Sequence, residues 1–257
     1  MNFSVVIPLY NKSYSIKRCI DSVLSQTYTN FEIVIVNDGS TDDSAQKVID
    51  NYSDEITSGK IIIISQPNEG VSVARNNGVA ASSSEYVCFL DADDEWYDDF
   101  LNKITLLVAD FPEAILYCLQ HELKVGSNKP CRNLCYYRPN YRGYVSNYFK
   151  ASLVGSIANC SKVCIRKEDF LELSGFPANE KSGEDLYFFM EVARKGDIAF
   201  YNSVSSRHNF ISDKSRHGRN DSIPYPFKYY SLPSNKDKLN FWEKVYLRKV
   251  SVHDKNA

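Results

Sequence analysis

"FSVVIPLYNKSYSIKRCIDSVLSQTYTNFEIVIVNDGS", residues 3–40, decides the architecture. Residues 3–8 form a short β-branched run stopped by Pro8, the pattern of a buried strand. Behind it Ile16, Ile20, Val23 and Leu24 recur at helical spacing, with Asn11 or Ser13 placed to cap the helix. Residues 31–40 are a second apolar run ending in an Asn-Asp-Gly-Ser turn. Strand, helix and strand at this interval make a βαβ unit, with parallel strands and a right-handed crossover.

The rhythm continues outward. "TDDSAQKVIDNY" (41–52) opens on Thr41 and acids, which favour a helix N-terminus. "KIIIISQP" (60–67) is a third strand, "GVSVARNNGVAAS" (70–82) a third helix and "EYVCFL" (85–90) a fourth strand. The expected fold is α/β, with a mainly parallel central sheet flanked by helices. Ligands of such sheets bind beyond the carboxyl ends of the strands. Three polar clusters fall there: "PLYN", "NDGSTD" and "DADDEW".

After residue 120 the alternation stops. Residues 124–150 carry Lys124, Lys129, Arg132, Arg138, Arg142 and Lys150 and no acid, with many aromatics, and read as a loop with short strands. "SIANCSKVCI" (156–165) reads as a strand, "EDFLELSG" (168–175) as a helix, and "DIAFYN" (197–202) as a short strand before the polar segment 206–220. In "GEDLYFFMEVARKG" (183–196) Leu186, Phe189, Met190 and Ala193 form an apolar stripe, leaving Glu184 and Asp185 in the first turn. "DKLNFWEKVYLRKV" (237–250) has Leu239, Trp242, Tyr246 and Lys249 at helical spacing. Its Lys and Arg residues suit either packing on the body or peripheral contact with an anionic membrane surface.

The 257 residues carry a formal net charge of −2, which gives no global electrostatic argument for nucleic acid. No apolar run reaches the roughly 20 residues that span a bilayer. The first residues lack a basic start, so no signal peptide is expected. Seven cysteines without an export signal fit free thiols and a cytoplasmic location. Cys131/Cys135 and Cys160/Cys164 have zinc-compatible spacing, but the second pair reads as small buried strand residues.

The chemistry concentrates in "DADDEWYDDF" (91–100), where Asp91, Asp93, Asp94, Glu95, Asp98 and Asp99 crowd together. Asp98 and Asp99 suit the start of a following helix. Asp91 and Asp93, at the mouth of a strand, suit a hard divalent cation such as Mn²⁺ or Mg²⁺ that grips phosphate oxygens.

"VVIPLYN", "VNDGSTDDS", "NEGVSVARNNGVAASSSEYVCFLDADD" and "GEDLYFFMEVARKG", in this order, resemble the inverting family 2 glycosyltransferases of the GT-A (Rossmann-like) fold, of the bacterial polysaccharide or O-antigen type. The resemblance is nearly continuous over the first hundred residues and patchy afterwards. It implies a nucleotide-sugar half (1–120), an acceptor and catalytic-base half (121–220) and a C-terminal tail with the amphipathic helix (221–257). Pro8, Leu9 and Tyr10, with Asn11 next to them, would lie along the nucleoside of a UDP-sugar. Asp38 would accept the uracil imide N–H, Arg75 would approach base or pyrophosphate, and Asp91 and Ala92 would border ribose and phosphate. Asp93 would bind the metal, with Asp91 beside it; His208, by the chemistry of its imidazole rather than by the resemblance, is either a third ligand or an ordinary loop residue. Asp185 would be the general base, with Glu184 beside it as a substrate contact and the rival for that role. Apart from the resemblance, His208 and His217 sit in the polar segment that can close over the diphosphate, and Arg207, Arg216 and Arg219 there offer it charge-assisted hydrogen bonds.

Each residue also has a plainer use. Tyr10 can staple strand to helix, Asp38 can cap its own turn, Arg75 can make a surface ion pair and Asp185 can cap its helix. The expected partners are a nucleotide-sugar donor and a glycan or lipid-linked acceptor. A non-catalytic glycan-binding scaffold and a sugar nucleotidyltransferase are the alternatives, and the second lacks a Gly-rich loop after the first strand.

Overall fold

The computed structural model describes residues 1–180, 182–210 and 223–253. The chain builds β1 (Phe3–Leu9), α1 (Ile16–Leu24), β2 (Phe31–Asp38), α2 (Ser44–Asn51), α3 (Ser53–Thr57), β3 (Ile61–Gln66), α4 (Val71–Ala81) and β4 (Tyr86–Phe89). After β5 (Glu95–Trp96) come α5 (Phe100–Asp110), β6 (Leu116–Val125), β7 (Cys131–Arg132), β8 (Arg142–Tyr144), α6 (Tyr148–Ser152), β9 (Val163–Arg166) and α7 (Lys167–Glu172). The last elements are α8 (Glu184–Lys195), β10 (Ile198–Phe210), α9 (Tyr225–Ser231) and α10 (Phe241–His253).

One sheet runs through both halves in the order β3-β2-β1-β4-β9-β6-β10-β5. β1 pairs in parallel with β2 and β4, β2 with β3, and β6 with β10. β9 runs antiparallel to both β4 and β6, so β6 and β10 point the same way as β4. The carboxyl ends of β1, β2, β4 and β10 therefore share one side of the molecule. β9 enters the sheet from that same side, which carries Asn159–Ser161 past the ends of the parallel strands. This is the GT-A architecture.

Each sheet face has its own core. Val5, Ile7 and Leu9 alternate with Val6 along β1, and the first set packs with Ile16, Ile20 and Val23 of α1 and Ile104 and Leu107 of α5. Val6, Val34 and Val36 face Ala74 and Val79 of α4, in a second core with Phe170, Phe176, Phe188 and Phe189. Strands buried on both faces read as continuous apolar runs, as residues 3–9 and 31–36 do.

Several boundaries move from the sequence reading. α1 starts at Ile16 behind Ser15, and neither Asn11 nor Ser13 caps it. Asn11 instead adopts a left-handed φ of 50°. Its Oδ1 accepts the backbone N–H groups of Thr41 (2.8 Å) and Asp42 (3.3 Å), tying the end of β1 to the next loop. Asp99 precedes α5 without a side-chain capping bond and pairs with Lys103 at 2.6 Å. Residues 156–162 are not strand, because Lys162 and Ser161 turn the chain into β9, so Cys160 lies outside the sheet. β10 continues through His208, as its pairing with β6 demands, so residues 206–210 of the expected polar segment are strand. On α8 the buried face centres on Phe188, Phe189 and Val192, with Leu186 and Ala193 at its margin.

All seven cysteines are free thiols. Cys131 is exposed while Cys160 and Cys164 are buried, and no zinc cluster assembles among the described residues. α10 lays Tyr246 and Leu247 inward, with Tyr246 edge-on to Tyr148 and Phe149 of α6. Part of the apolar stripe offered to a membrane is thus covered by the protein itself, although Phe241 stays exposed. No helix among the described residues is long and apolar enough to cross a membrane.

Candidate active site

A cleft of about 240 Å³ opens at the carboxyl ends of β1, β2 and β4. Pro8, Leu9, Tyr10 and Lys12 form one wall, Asp38, Asn68 and Gly70 a second, and Ala74, Arg75, Asp91, Ala92 and Asp93 the floor and far side. Asp38 is buried, and its Oδ1 accepts Gln66 Nε2 and the Glu69 N–H, both at 2.8 Å. Its Oδ2 accepts the Gly70 N–H at 2.9 Å. Asp38 therefore ties down loop 66–70 rather than capping its own turn. An ionised carboxylate offers about four lone-pair sites, so acceptor capacity remains on Oδ2.

Arg75 is the cationic centre of the cleft. Its side chain is only 5% exposed, with Nη2 2.6 Å from Asp91 Oδ1 and Nη1 3.5 Å from Glu184 Oε1. Burial opposes its charge, but Asp91 and Glu184 outweigh burial and hold the guanidinium protonated. The ring of Phe176 lies 5.3 Å from the guanidinium carbon and shapes its seat.

A second hollow of about 100 Å³ adjoins the cleft and shares Asp91 and Asp93 with it. Its other walls are Asp94, Asn159, Cys160, Ser161, Asp185, His208, Asn209 and Phe210. The turn before α8 brings Asp185 there: Gly183 has φ +77°, and a Cβ on it would sit 2.8 Å from Pro224 Cβ, so only glycine fits. Glu184 and Asp185 occupy the first turn of α8, where the helix dipole favours acids. Asp185 Oδ1 accepts the Leu186 N–H at 2.7 Å.

The backbone between the two hollows is braced. The Asp93 carbonyl accepts Arg18 Nη2 at 2.7 Å and Asn209 Nδ2 at 3.0 Å. Buried Asp94 accepts Ser161 Oγ at 2.6 Å and the Asn209 N–H at 2.9 Å. Burial, then the charges of Asp91 and Asp93, push the Asp94 carboxyl well above the usual range, and those two hydrogen bonds oppose the rise. His208 stacks on His121 with centroids 4.2 Å apart, and its Nε2 is 3.9 Å from Asp94 Oδ2. Burial pushes the His121 imidazole strongly toward the neutral form.

The structure thus brings together Pro8, Leu9, Tyr10, Asp38, Arg75, Asp91, Ala92 and Asp93 in one cleft, and Asp185 and His208 in the hollow beside it. Two expected substrate contacts line neither. Asn11 is used as the brace described above, and Glu184 turns inward to Arg75. Arg207, the third arginine expected at the diphosphate, lines neither hollow and pairs with Glu122 at 2.6 Å and Glu95 at 3.2 Å, while Arg216, His217 and Arg219 lie outside the described residues. Sequence reasoning missed Lys12, Asp94, Ser161 and Asn209. Lys12 directly follows "PLYN" and Asp94 sits inside "DADD", so position alone pointed to both; nothing local marks Ser161.

Among the described residues no three His, Cys, Asp or Glu side chains form a ready metal cage. Asp91 and Asp93 still fit a hard divalent ion, because Mg²⁺-type sites take one or two carboxylates and complete their shell with phosphate oxygens and water. Asp93 Oδ2 already holds a cation, the Lys12 ammonium at 2.9 Å, between the two hollows.

Fold and site together define the class: a GT-A protein with a cleft at the carboxyl ends of its parallel strands. The pattern of glycosyl transferase family 2 matches residues 4–167, and the chain belongs to that family. It is 44% identical over 118 residues to the uncharacterized glycosyltransferase YibD of Escherichia coli, covering 45% of this chain and 33% of YibD. It is also 44% identical over 110 residues to the amylovoran biosynthesis glycosyltransferase AmsB of Erwinia amylovora, covering 42% of this chain and 36% of AmsB. The chain therefore spans about a third of the length of these relatives. Among solved structures, S. aureus TarS in complex with UDP-GlcNAc superposes with a TM-score of 0.70 at 19% identity, over 90% of this chain and 64% of that one. GalNAc-T7 with UDP, GalNAc and Mn²⁺ superposes with 0.62 at 16% identity, over 82% and 44%.

Proposed function

We propose that the chain transfers a sugar from a nucleoside-diphosphate sugar to a hydroxyl of a glycan or lipid-linked acceptor, with inversion. The observation that carries this reading is the junction at Asp91 and Asp93, where a cleft of nucleotide-binding make meets a hollow containing Asp185. The fold neighbour TarS, solved with UDP-GlcNAc, supports UDP as the nucleotide. Family membership and AmsB support a place in polysaccharide assembly. In this reading residues 1–120 serve the donor, 121–220 the acceptor, and 221–257 form a tail.

The nucleoside lies along Pro8, Leu9 and Tyr10, and Asp38 accepts the imide N–H with the capacity left on Oδ2. Arg75 keeps Asp91 in place and contributes positive charge where the diphosphate departs. Asp91 and Asp93 would hold Mn²⁺ or Mg²⁺, without His208 as a third ligand in the arrangement described, and the bound ion would supply Lewis-acid stabilisation of the leaving diphosphate. Asp185 takes the proton from the acceptor hydroxyl as it attacks the face of the sugar opposite the nucleotide. One base and one displacement invert the anomeric centre.

A thermal-shift series with UDP, with and without Mn²⁺, tests the reading. UDP with Mn²⁺ raises the Tm by mass action, and Asp93→Ala removes the metal-dependent part. Asp185→Asn keeps the UDP shift and lowers transfer by about 10²- to 10⁴-fold. Normal transfer by Asp185→Asn rejects the base assignment. No shift with any nucleoside diphosphate rejects the donor site.

A further inference from the structure

Resting on that reading, we propose that the acceptor is an anionic glycan, held by the basic strap that runs from the β6–β7 hairpin across to β8. Residues 124–142 contain five cations and no acid: Lys124, Lys129, Arg132, Arg138 and Arg142. Arg142 pairs with Asp110 at 2.8 Å, and among the described residues no ion pair holds the other four. The nearest strand carboxylate, Glu122, is engaged by Arg207 at 2.6 Å.

The sheet register places the strap. Lys124 pairs beside Asn209, which lines the hollow containing Asp185. The Gly126 N–H bonds the Phe210 carbonyl at 3.2 Å, so the hairpin rises from the rim of that hollow. From there the strap crosses β10, and the Asn202 side chain anchors it by donating to the Arg138 carbonyl at 2.9 Å and accepting from Arg132 at 2.6 Å. Seven residues of β10 separate Asn209 from Asn202, so the cations spread over roughly 20 Å leading away from the site.

The excess of cations on the strap selects a glycan with negative charge, and it offsets the carboxylates of Asp91, Asp93 and Asp185 that such an acceptor must approach. Tyr136 on the strap is 40% exposed, with the Lys150 ammonium 5.9 Å from its ring centroid, so an aromatic ring and cations stand together where a sugar and its acidic substituent can lie. The acid is a carboxylate (a uronate) or a backbone phosphodiester, and both present the same charge to Lys and Arg.

The test uses the full chain and four immobilised probes: a galacturonate oligomer, a glycerol phosphate oligomer, a neutral maltooligosaccharide and phosphatidylglycerol vesicles. At least one anionic oligomer binds, more weakly as salt rises, and the tighter of the two names the acid. Lys124→Glu combined with Lys129→Glu lowers that affinity by about tenfold or more, and Lys129→Glu alone, at an exposed position, lowers it with the Tm unchanged. Equal binding of the neutral oligomer, insensitivity to salt, or unaltered affinity in the double variant overturns the proposal. Binding to vesicles alone overturns it in favour of a membrane surface. The UDP shift is read on the same protein, so a failed donor site and a failed acceptor strap are told apart.

Discussion

Asp94 and Ser161 join across the sheet through a 2.6 Å hydrogen bond, and Ser161 Oγ also accepts the Asp91 N–H at 3.2 Å. The acidic loop after β4 is thereby fastened to the turn that opens β9, and through Asn209 to the end of β10. Asp94→Ala leaves the Ser161 hydroxyl and the Asn209 N–H buried without this acceptor. Two buried hydrogen bonds lost, less the relief of no longer burying a carboxyl group, give about 1–3 kcal/mol of destabilisation. At about 2–4 °C per kcal/mol the Tm falls by several degrees. The same change loosens Asp91 and Asp93, so the UDP and Mn²⁺ shift shrinks as well. Equal stability of Asp94→Ala and the parent in urea titration sinks this account.

Arg75 serves stability and the cleft at once. Arg75→Met keeps the length of the side chain but removes the cation that lies 3.5 Å from Glu184, a carboxylate only 10% exposed. Breaking a buried pair from one side costs about 3–5 kcal/mol. Asp91, 37% exposed, recovers solvation from water, so the expected loss is at the low end, about 2–4 kcal/mol. The double variant Arg75→Met/Glu184→Gln recovers part of that loss. A single variant as stable as the parent shows that the pair contributes nothing.

Gly78 sets two local effects against each other. It lies inside α4, where alanine is favoured by about 1 kcal/mol from propensity alone. A Cβ there would collide with Val6 Cγ1 of β1 and approach Val36 Cγ2 to 3.2 Å. Overpacking a tight core costs about 1–3 kcal/mol, so the collision wins and Gly78→Ala lowers the Tm. Gly78→Ala with Val6→Ala restores room and recovers stability beyond the sum of the single changes. A stabilised single variant, read by thermal melting, contradicts this packing.

β1 and β2 were legible because Val5–Leu9 and Ile33–Val36 are buried on both faces, and burial of that kind writes itself into the sequence as apolar runs. The site's cleft followed from fold geometry, since strand ends fix where Asp38 and Asp91 must stand. β10 was cut short because Ser205, Ser206 and Asn209 are polar yet buried, Ser205 and Asn209 being satisfied by partners distant in sequence. Ser205 Oγ accepts from Lys103 at 3.0 Å and the Asn209 N–H donates to Asp94. Asn11 misled for the converse reason: a turn residue next to a site looks like a ligand contact until its side chain is seen spent on Thr41 and Asp42. Which of Glu184 and Asp185 faces the hollow depends on the rotation of α8, set by Phe188 and Phe189 in the core, so two adjacent acids cannot be separated by reading along the chain.

Lys162 gives the stability of the protein a pH signature. Its side chain is fully buried at the start of β9, donates to the Ser156 carbonyl, and is lowered by burial to about 8. Unfolded, the ammonium titrates near its ordinary value of about 10.4. Between these values the unfolded chain binds the extra proton, so this residue makes stability rise with pH from about 8 to 10.4 and weighs fully against folding below 8. Two to three pK units correspond to about 3 kcal/mol. Lys162→Met removes that burden but leaves the Ser156 carbonyl without its donor, so the net gain at pH 7 is about 1–2 kcal/mol. The gain dwindles as pH approaches 10.4 and then reverses in sign. Urea titrations of parent and variant at pH 7, 8.5 and 10 measure it, and a gain independent of pH means that Lys162 is not titrating in the buried position described.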